Sequence, residues 1–306
     1  MIDPLSDFLA RLQSESVFPV QMEARGRWGL RYPAFRHMKF GGIIKGERWF
    51  WAEGVEPQCL RAGDFYLLTD GRPYCMASDP DAPLAEATAA FASYRPSDGN
   101  LIYGEGKTSS VAVAGRFTFA DDDMAAMLRV LPPLIHVPAQ DVAATPLPLL
   151  MTLIKAETGA MNQGGRVAAS SLANLVLVHI LRAWLAMGKR SASWLAATSD
   201  RQIGAALSVM HERVGHDWSL DLLARHVGMS RSLFAKRFAE AVGVPPMTYL
   251  LGWRMTIART ALRNGERNIT ALAERLGYGS PTAFRIAFRR EVGESPGRYR
   301  IGHNAN

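Results

Sequence analysis

The chain has 306 residues, 48% of them hydrophobic and 21% charged, with a formal net charge of +7. This composition excludes a disordered chain and a protein embedded throughout in lipid, and the length suits two domains of ordinary size. Cys59 and Cys75 are the only cysteines. They exclude a disulfide framework or a Cys-rich zinc finger and fit a reducing compartment, so the cytoplasm is the expected location.

The N-terminal stretch MIDPLSDFLARLQ carries Asp3 and Asp7 where a secretory signal carries positive charge, so no export signal is expected. From Trp28 to Phe119 come short apolar or alternating runs: HMKFGGIIKG, RWFWAE, QCLRAGDFYLLTDGRPYCM, LIYGEG and SSVAVAGRFTF. Lys45-Gly46, Gly63-Asp64 and Asp70-Gly71 punctuate them, and this spacing predicts an antiparallel sandwich or barrel. After Asp121–Asp123 the pattern turns helical, with Met124, Met127, Leu128 and Leu131 ending at Pro132-Pro133. Helices follow at about Leu147–Glu157 and Arg166–Met187. The second is apolar all round, so two surfaces must cover it, expected to be the β-rich domain and a second subunit in a homodimer. Its most apolar part, Leu172–Met187, falls short of the roughly 20 residues of a membrane span, so no membrane is expected as a partner. The small, polar stretch Gly188–Asp200 marks the joint between a domain of residues 1–195 and an all-helical one of residues 196–306.

All the excess positive charge lies beyond that joint. Residues 201–306 hold 16 Lys and Arg against 8 Asp and Glu, and 15 of the 16 are arginine. A segregated Arg-rich domain points to nucleic acid. The same third contains an internal repeat. Leu220, Leu223, Ala224, Val227 and Gly228 return as Ile269, Leu272, Ala273, Leu276 and Gly277. Phe234, Phe238, Val242, Gly243, Pro246 and Tyr249 return as Phe284, Phe288, Val292, Gly293, Pro296 and Tyr299. Each copy reads as a short helix capped by Ser219 or Asn268 and stopped by Gly228 or Gly277, then a second helix capped by Ser230 or Ser280. Pro281 stands at the first helical position of the last. This is the plan of a helix-turn-helix, over residues 219–243 and 268–293, with Ala224 and Ala273 letting the second helix cross closely. Pro246–Leu262 reads as one helix joining the two units, long enough for one chain to read two successive major grooves.

The segments SLDLLARHVGMSRSLFAKRF, GVPPMTYLLGWRMTIARTAL and ITALAERLGYGSPTAFRIAFRREVGESPGRYR resemble the DNA-binding domain of the AraC/XylS transcription regulators over about 100 residues. DPLSDFLARL, WGLRYP, LRAGDFYLLTDG, AGRFTF and LPPLIHV more loosely resemble the cupin-like regulatory domain of a subset of that family. The resemblance implies an α+β multidomain chain: a cupin-like β-barrel or sandwich followed by helices, then an all-α domain with two helix-turn-helix units. It implies a bacterial, sequence-specific regulator, leaning to activation, with promoter DNA and RNA polymerase as partners and an unknown small-molecule effector. Family geometry assigns base contacts to Arg231, Ser232, Ala235 and Lys236 in the first unit and to Pro281, Thr282, Arg285 and Ile286 in the second. Here Arg285 is basic where the family usually has its basic residue at the place of Ile286. Ser230, Arg237, Ser280, Arg289 and Arg290 are expected at phosphates, and Leu233, Phe234, Phe238, Phe284 and Phe288 inside.

In the β-rich half His37, Trp49, Tyr74 and Cys75 are candidates to line an effector pocket. Cys59 and Cys75 are also candidate redox sensors. A cupin-type metalloenzyme with a DNA-binding tail is the alternative; it is disfavoured because no HxH pair occurs and His37 is expected to be the only histidine of the β core, so no metal, cofactor or catalytic residue is assigned. A nonspecific architectural binder is disfavoured because two units at this spacing suit grooves in register.

Overall fold

A computed structural model describes residues 5–7, 14–16, 20–35, 38–92, 100–119, 131–143, 145–159, 163–187 and 194–303. The chain forms two compact units, one of residues 13–189 and one of residues 1–12 with 190–306. The helix expected from Met124 to Leu128 lies outside the described residues, as does His37.

The first unit is a curled sheet. Its strands are β1 (Ser14–Ser16), β2 (Val20–Arg25), β3 (Gly29–Tyr32), β4 (Met38–Ala52), β5 (Val55–Arg61), β6 (Phe65–Leu68), β7 (Tyr74–Ala77), β8 (Ala85–Glu86), β9 (Asn100–Gly104), β10 (Thr108–Phe119) and β11 (Leu134–Val137). A short helix, α1 (Ala87–Ala90), follows β8. Pairing is mainly antiparallel, but β2–β9 and β3–β8 are parallel, which a wholly antiparallel sandwich does not include. Lys45-Gly46 is not the turn expected from the sequence. β4 runs through it as one 15-residue strand, with Gly46 at φ +72° beside a register shift against β10. A Cβ at Gly46 would strike the Ser109 carbonyl oxygen, so glycine alone lets β10 lie so close to the bend. Because of the bend, the first half of β4 pairs with β6 and the second with β7 and β5.

Alternation then sorts the side chains of the sheet into two cores. Trp28, Ile43, Phe50, Tyr66, Leu68, Tyr74 and Met76 fill the concave interior. Met38, Phe40, Phe65, Leu67 and Phe117 are buried on the other face, where Phe40 and Phe117 pack with ring centroids 4.9 Å apart. Helices α2 (Ala139–Val142), α3 (Leu147–Gly159) and α4 (Gly165–Ala186) follow; α3 and α4 lie close to the sequence expectation, and the short α2 has no counterpart in it. The helix α4 spans 22 residues, as expected, but its apolar part does not fall short: Val167–Ala186 is long and apolar enough to cross a membrane by length and composition. Here Ala173, Val176, Ile180, Leu181 and Trp184 are buried within the unit. α3 packs along α4, and β6 and β11 also touch it. Cover expected from a second subunit is thus supplied at least partly by α3 of the same chain.

The second unit is helical: α5 (Trp194–Ala197), α6 (Arg201–Glu212), α7 (Leu220–His226), α8 (Arg231–Val242), α9 (Pro246–Arg263), α10 (Ile269–Arg275), α11 (Pro281–Val292) and α12 (Pro296–His303). α6 starts at Asp200, whose Oδ1 accepts from the Gln202 and Ile203 amides at 2.9 Å. The central α9 carries Trp253, fully buried, with the His211 ring stacked on it at 4.1 Å. His211 also bonds Tyr249 Oη at 2.8 Å and Asp7 Oδ2 at 3.1 Å, which ties residues 5–7 to this unit.

Candidate nucleic-acid interface

The repeat read in the sequence is the repeat of the core. Leu223 and Leu272, Ala224 and Ala273, Val227 and Leu276, Phe234 and Phe284, Phe238 and Phe288, and Tyr249 and Tyr299 are all buried. Ring geometry repeats too: Phe234–Phe238 and Phe284–Phe288 lie 5.6 and 5.7 Å apart, Phe238–Tyr249 and Phe288–Tyr299 5.8 and 5.6 Å. Burial of two phenylalanines per unit, about 1.5–3 kcal/mol each, holds each second helix on its first. The turns match the expectation, with Gly228 and Gly277 at φ +68° and +78°. After each glycine an amide closes back on the crossing alanine: Met229 N to Ala224 O and Tyr278 N to Ala273 O, both 2.9 Å. Ser230 Oγ accepts from Leu233 N at 3.4 Å and Ser280 Oγ from Ala283 N at 3.1 Å, so both serines cap as expected.

With Phe234, Phe238, Phe284 and Phe288 turned inward, helical spacing sends the other candidates outward. In α8, Arg231, Ser232 and Lys236 are exposed and Ala235 is half-buried. Leu233 is not core as expected but 48% exposed, because it sits one position before Phe234 and off the buried stripe. In α11, Thr282, Arg285 and Ile286 are exposed, Ile286 to 65%, and Pro281 is half-buried. The outward cations differ in their partners. Arg231 Nη1 lies 3.4 Å from Asp221 Oδ2, and Lys236 Nζ lies 4.0 Å from Glu240 Oε1, both solvent-exposed pairs worth little. Arg285 and Arg289 pair with no carboxylate among the described residues, whereas Arg290 Nε lies 2.7 Å from Glu291 Oε1. Arg237 is half-buried and occupied: it donates to Asp200 Oδ2 at 2.7 Å and Gln202 Oε1 at 3.0 Å, fixing α8 to the start of α6. Burial raises the Asp200 carboxyl, but the Ile203 and Gln202 amides and Arg237 outweigh it and hold the carboxyl below the usual carboxylate range.

The second turn is also braced from behind. Arg254 on α9 donates to the Val214 and His216 carbonyl oxygens at 3.0 and 2.8 Å, and its guanidinium lies 5.8 Å from the Tyr278 ring centroid. Gly215 and Gly277 meet backbone to backbone there.

The effector-pocket candidates of the β-rich unit separate. Tyr74 faces the concave interior, where its ring stacks on Tyr32 at 4.5 Å. Trp49 and Cys75 alternate with inward-facing neighbours and so lie on the other face of β4 and β7. Burial pushes the Cys59 and Cys75 thiols up, away from the reactive thiolate form. His37 is expected from the sequence to be the only histidine of the β core, but β11 carries His136, whose Nε2 meets Asp64 Oδ2 at 2.8 Å. Asp64 also accepts from the Ala139 and Arg61 amides, so the pair ties the β5–β6 turn to β11 and α2. Among the described residues no three His, Cys, Asp or Glu side chains converge on a common point.

Two helix-turn-helix units built on one connecting helix, together with a cupin-like sheet domain, define a DNA-binding transcription regulator. A cupin family model matches residues 3–186 and a helix-turn-helix domain model residues 223–301. A putative AraC-like transcription regulator of Streptomyces lividans is 35% identical over 98% of both chains. The HTH-type transcriptional regulator AlkR of Acinetobacter baylyi is 26% identical over 98% of this chain and 99% of its own. Among solved structures, the DNA-binding domain of the global transcriptional factor AdpA in complex with a target DNA is 31% identical, over 35% of this chain and 96% of its own, with a TM-score of 0.33. The chain belongs to the AraC-like transcription regulators.

Proposed function

We propose that this regulator reads two blocks of one promoter site, α8 in one major groove and α11 in the next, and that its β-rich unit receives an effector rather than catalysing a reaction. The observation that carries this is the doubled unit itself: two equivalent, independently capped helices present their outer faces, one with Arg231, Ser232, Ala235 and Lys236, the other with Pro281, Thr282, Arg285 and Ile286. Arg285, free of carboxylate partners among the described residues, is the base-contact residue of the second helix, suited to a guanine edge. Ile286 offers an apolar contact to a thymine methyl. Ser230, Ser280, Arg289 and Arg290 position the backbone, while Arg237 serves mainly to hold α8. RNA polymerase is the partner that converts binding into activation, in the cytoplasm. Leu149, Leu153, Val167 and Leu175 remain exposed on α3 and α4 and are the surface on which a homodimer would form.

Selection of bound duplexes from a randomised pool by the full-length protein at physiological salt tests this reading. Two short blocks about one helical turn apart are expected. Arg285→Ala should erase preference in one block and weaken binding by about 1–3 kcal/mol. Equal loss on every duplex, with a shallower salt dependence, would make Arg285 a phosphate contact.

A further inference from the structure

The concave interior of the curled sheet contains a buried cation that pairs with no carboxylate among the described residues. Arg48 follows the bend of β4 in phase with Phe50, so its side chain enters the aromatic core, where it is 2% exposed. Nη2 donates to Ser110 Oγ at 3.1 Å, and the guanidinium lies 5.3 Å from the Trp28 ring centroid. Nε is buried with no hydrogen-bond partner. No carboxylate among the described residues pairs with it. Asp64, the buried carboxylate among the described residues of this unit, is engaged by His136 and two backbone amides. Tyr66, Tyr32 and Tyr74 are close enough to act on the Arg48 charge, yet burial pushes all three phenols up, so they stay neutral. A second cation shares the same rings: Lys39 Nζ donates to Tyr74 Oη at 3.2 Å and sits 4.4 Å from the Phe35 centroid.

A guanidinium stays protonated under all ordinary conditions, and burying it unpaired costs several kcal/mol. A core selected for stability alone would carry an apolar residue at position 48. The buried Nε and its guanidinium match a planar anion that accepts from adjacent N–H groups, and a carboxylate has that geometry.

We propose that the interior of the curled sheet is a binding site for a small organic monocarboxylate, with the carboxylate on Arg48 and the apolar body among Trp28, Phe50, Tyr66 and Tyr74. The inference rests on the reading that this unit receives an effector, and supplies the effector's chemical class. Lys39 and Tyr74 Oη give a second polar contact. Aromatic walls accommodate varied bodies, while the Arg48 fork demands the charge.

The test uses the full-length chain with benzoate, phenylacetate and hexanoate, their uncharged amides, and inorganic phosphate, read by calorimetry and by thermal melting. At least one carboxylate should bind and raise the melting temperature, its amide and phosphate should not, and Arg48→Met should weaken carboxylate binding at least tenfold. The ligand-free R48M protein should melt at or above wild type, since an unpaired buried cation has been removed. Carboxylate binding that R48M leaves intact, phosphate binding as well as the carboxylates, or an R48M chain that melts lower with no carboxylate effect in wild type would each overturn the proposal. If R48M does not fold, R48K keeps the charge without the fork: a clear loss of carboxylate affinity supports the assignment and unchanged affinity overturns it. DNA affinity is measured in parallel. Carboxylate binding that leaves DNA affinity and transcription unchanged supports the site while removing the effector reading, so the two fail separately.

Discussion

Gly228 and Gly277 hold the same place in the two repeats, at φ +68° and +78°, and differ in their surroundings. A Cβ at Gly228 meets nothing within 4 Å, whereas one at Gly277 collides with the Gly215 carbonyl oxygen and comes within 2.8 Å of Arg254 Nη2. Gly228→Ala and Gly277→Ala both force an L residue into the left-handed region, at about 1–2 kcal/mol. G277A must in addition displace a loop that Arg254 holds through Val214 and His216, and hydrogen bonds from a charged donor contribute about 1.5–3 kcal/mol. G277A should therefore cost about 3–5 kcal/mol against about 1–2 kcal/mol for G228A. Hydrogen exchange of the full-length chain, compared peptide by peptide over α7–α8 and α10–α11, measures the two local opening energies. G277A should also lose the sequence block read by α11 while keeping the other. Equal destabilisation by the two substitutions would refute the contact with Gly215 as the cause.

Lys39 gives a pH signature. Burial, with Arg116 adding repulsion, pushes its ammonium down to about 8 from an ordinary 10.5. Between those values the unfolded chain binds more protons, so this group makes stability rise with pH from about 8 to about 10.5, and below 8 the folded state bears the full cost. Lys39→Met should stabilise the β-rich unit by about 2 kcal/mol at pH 7, allowing for the lost bond to Tyr74, and the gain should vanish above pH ~10.5 in urea titrations at several pH values. A pH-independent effect would show that Lys39 titrates normally. Asp200→Ala removes the cap of α6 and the partner of Arg237; it should cost about 1–2 kcal/mol and raise exchange at the start of α6 and in α8 together. An effect confined to α6 would show that the Arg237 pair does not anchor α8.

The helix-turn-helix units were legible almost residue by residue. Their caps, turn glycines and inward phenylalanines act within about fifteen residues of one another, and the repeat supplied an internal check on each position. Leu233 escaped because an apolar residue next to the buried stripe looks like part of it. In the sheet, legibility ended at pairing. Lys45-Gly46 reads as a turn, and only the close passage of Ser109 shows that the strand bends and continues. Arg48 did carry a signal, a cation in phase with Phe50 and Ala52 in RWFWA, but alternation alone does not say which face is enclosed.

Local order therefore came from the chain by itself: two capped helix pairs, a connecting helix, a basic C-terminal third and a strand-rich first half. Their hydrogen bonds and side-chain periods depend on near neighbours along the sequence. The tertiary structure decided the rest, because it gathers residues far apart in the chain. The curled sheet brings Trp28, Tyr32, Arg48, Tyr66, Tyr74 and Ser110 into one interior. The second unit brings Asp7 to His211. Whether a buried charge has a counter-ion depends on those distant strands, and no spacing within one strand contains the answer.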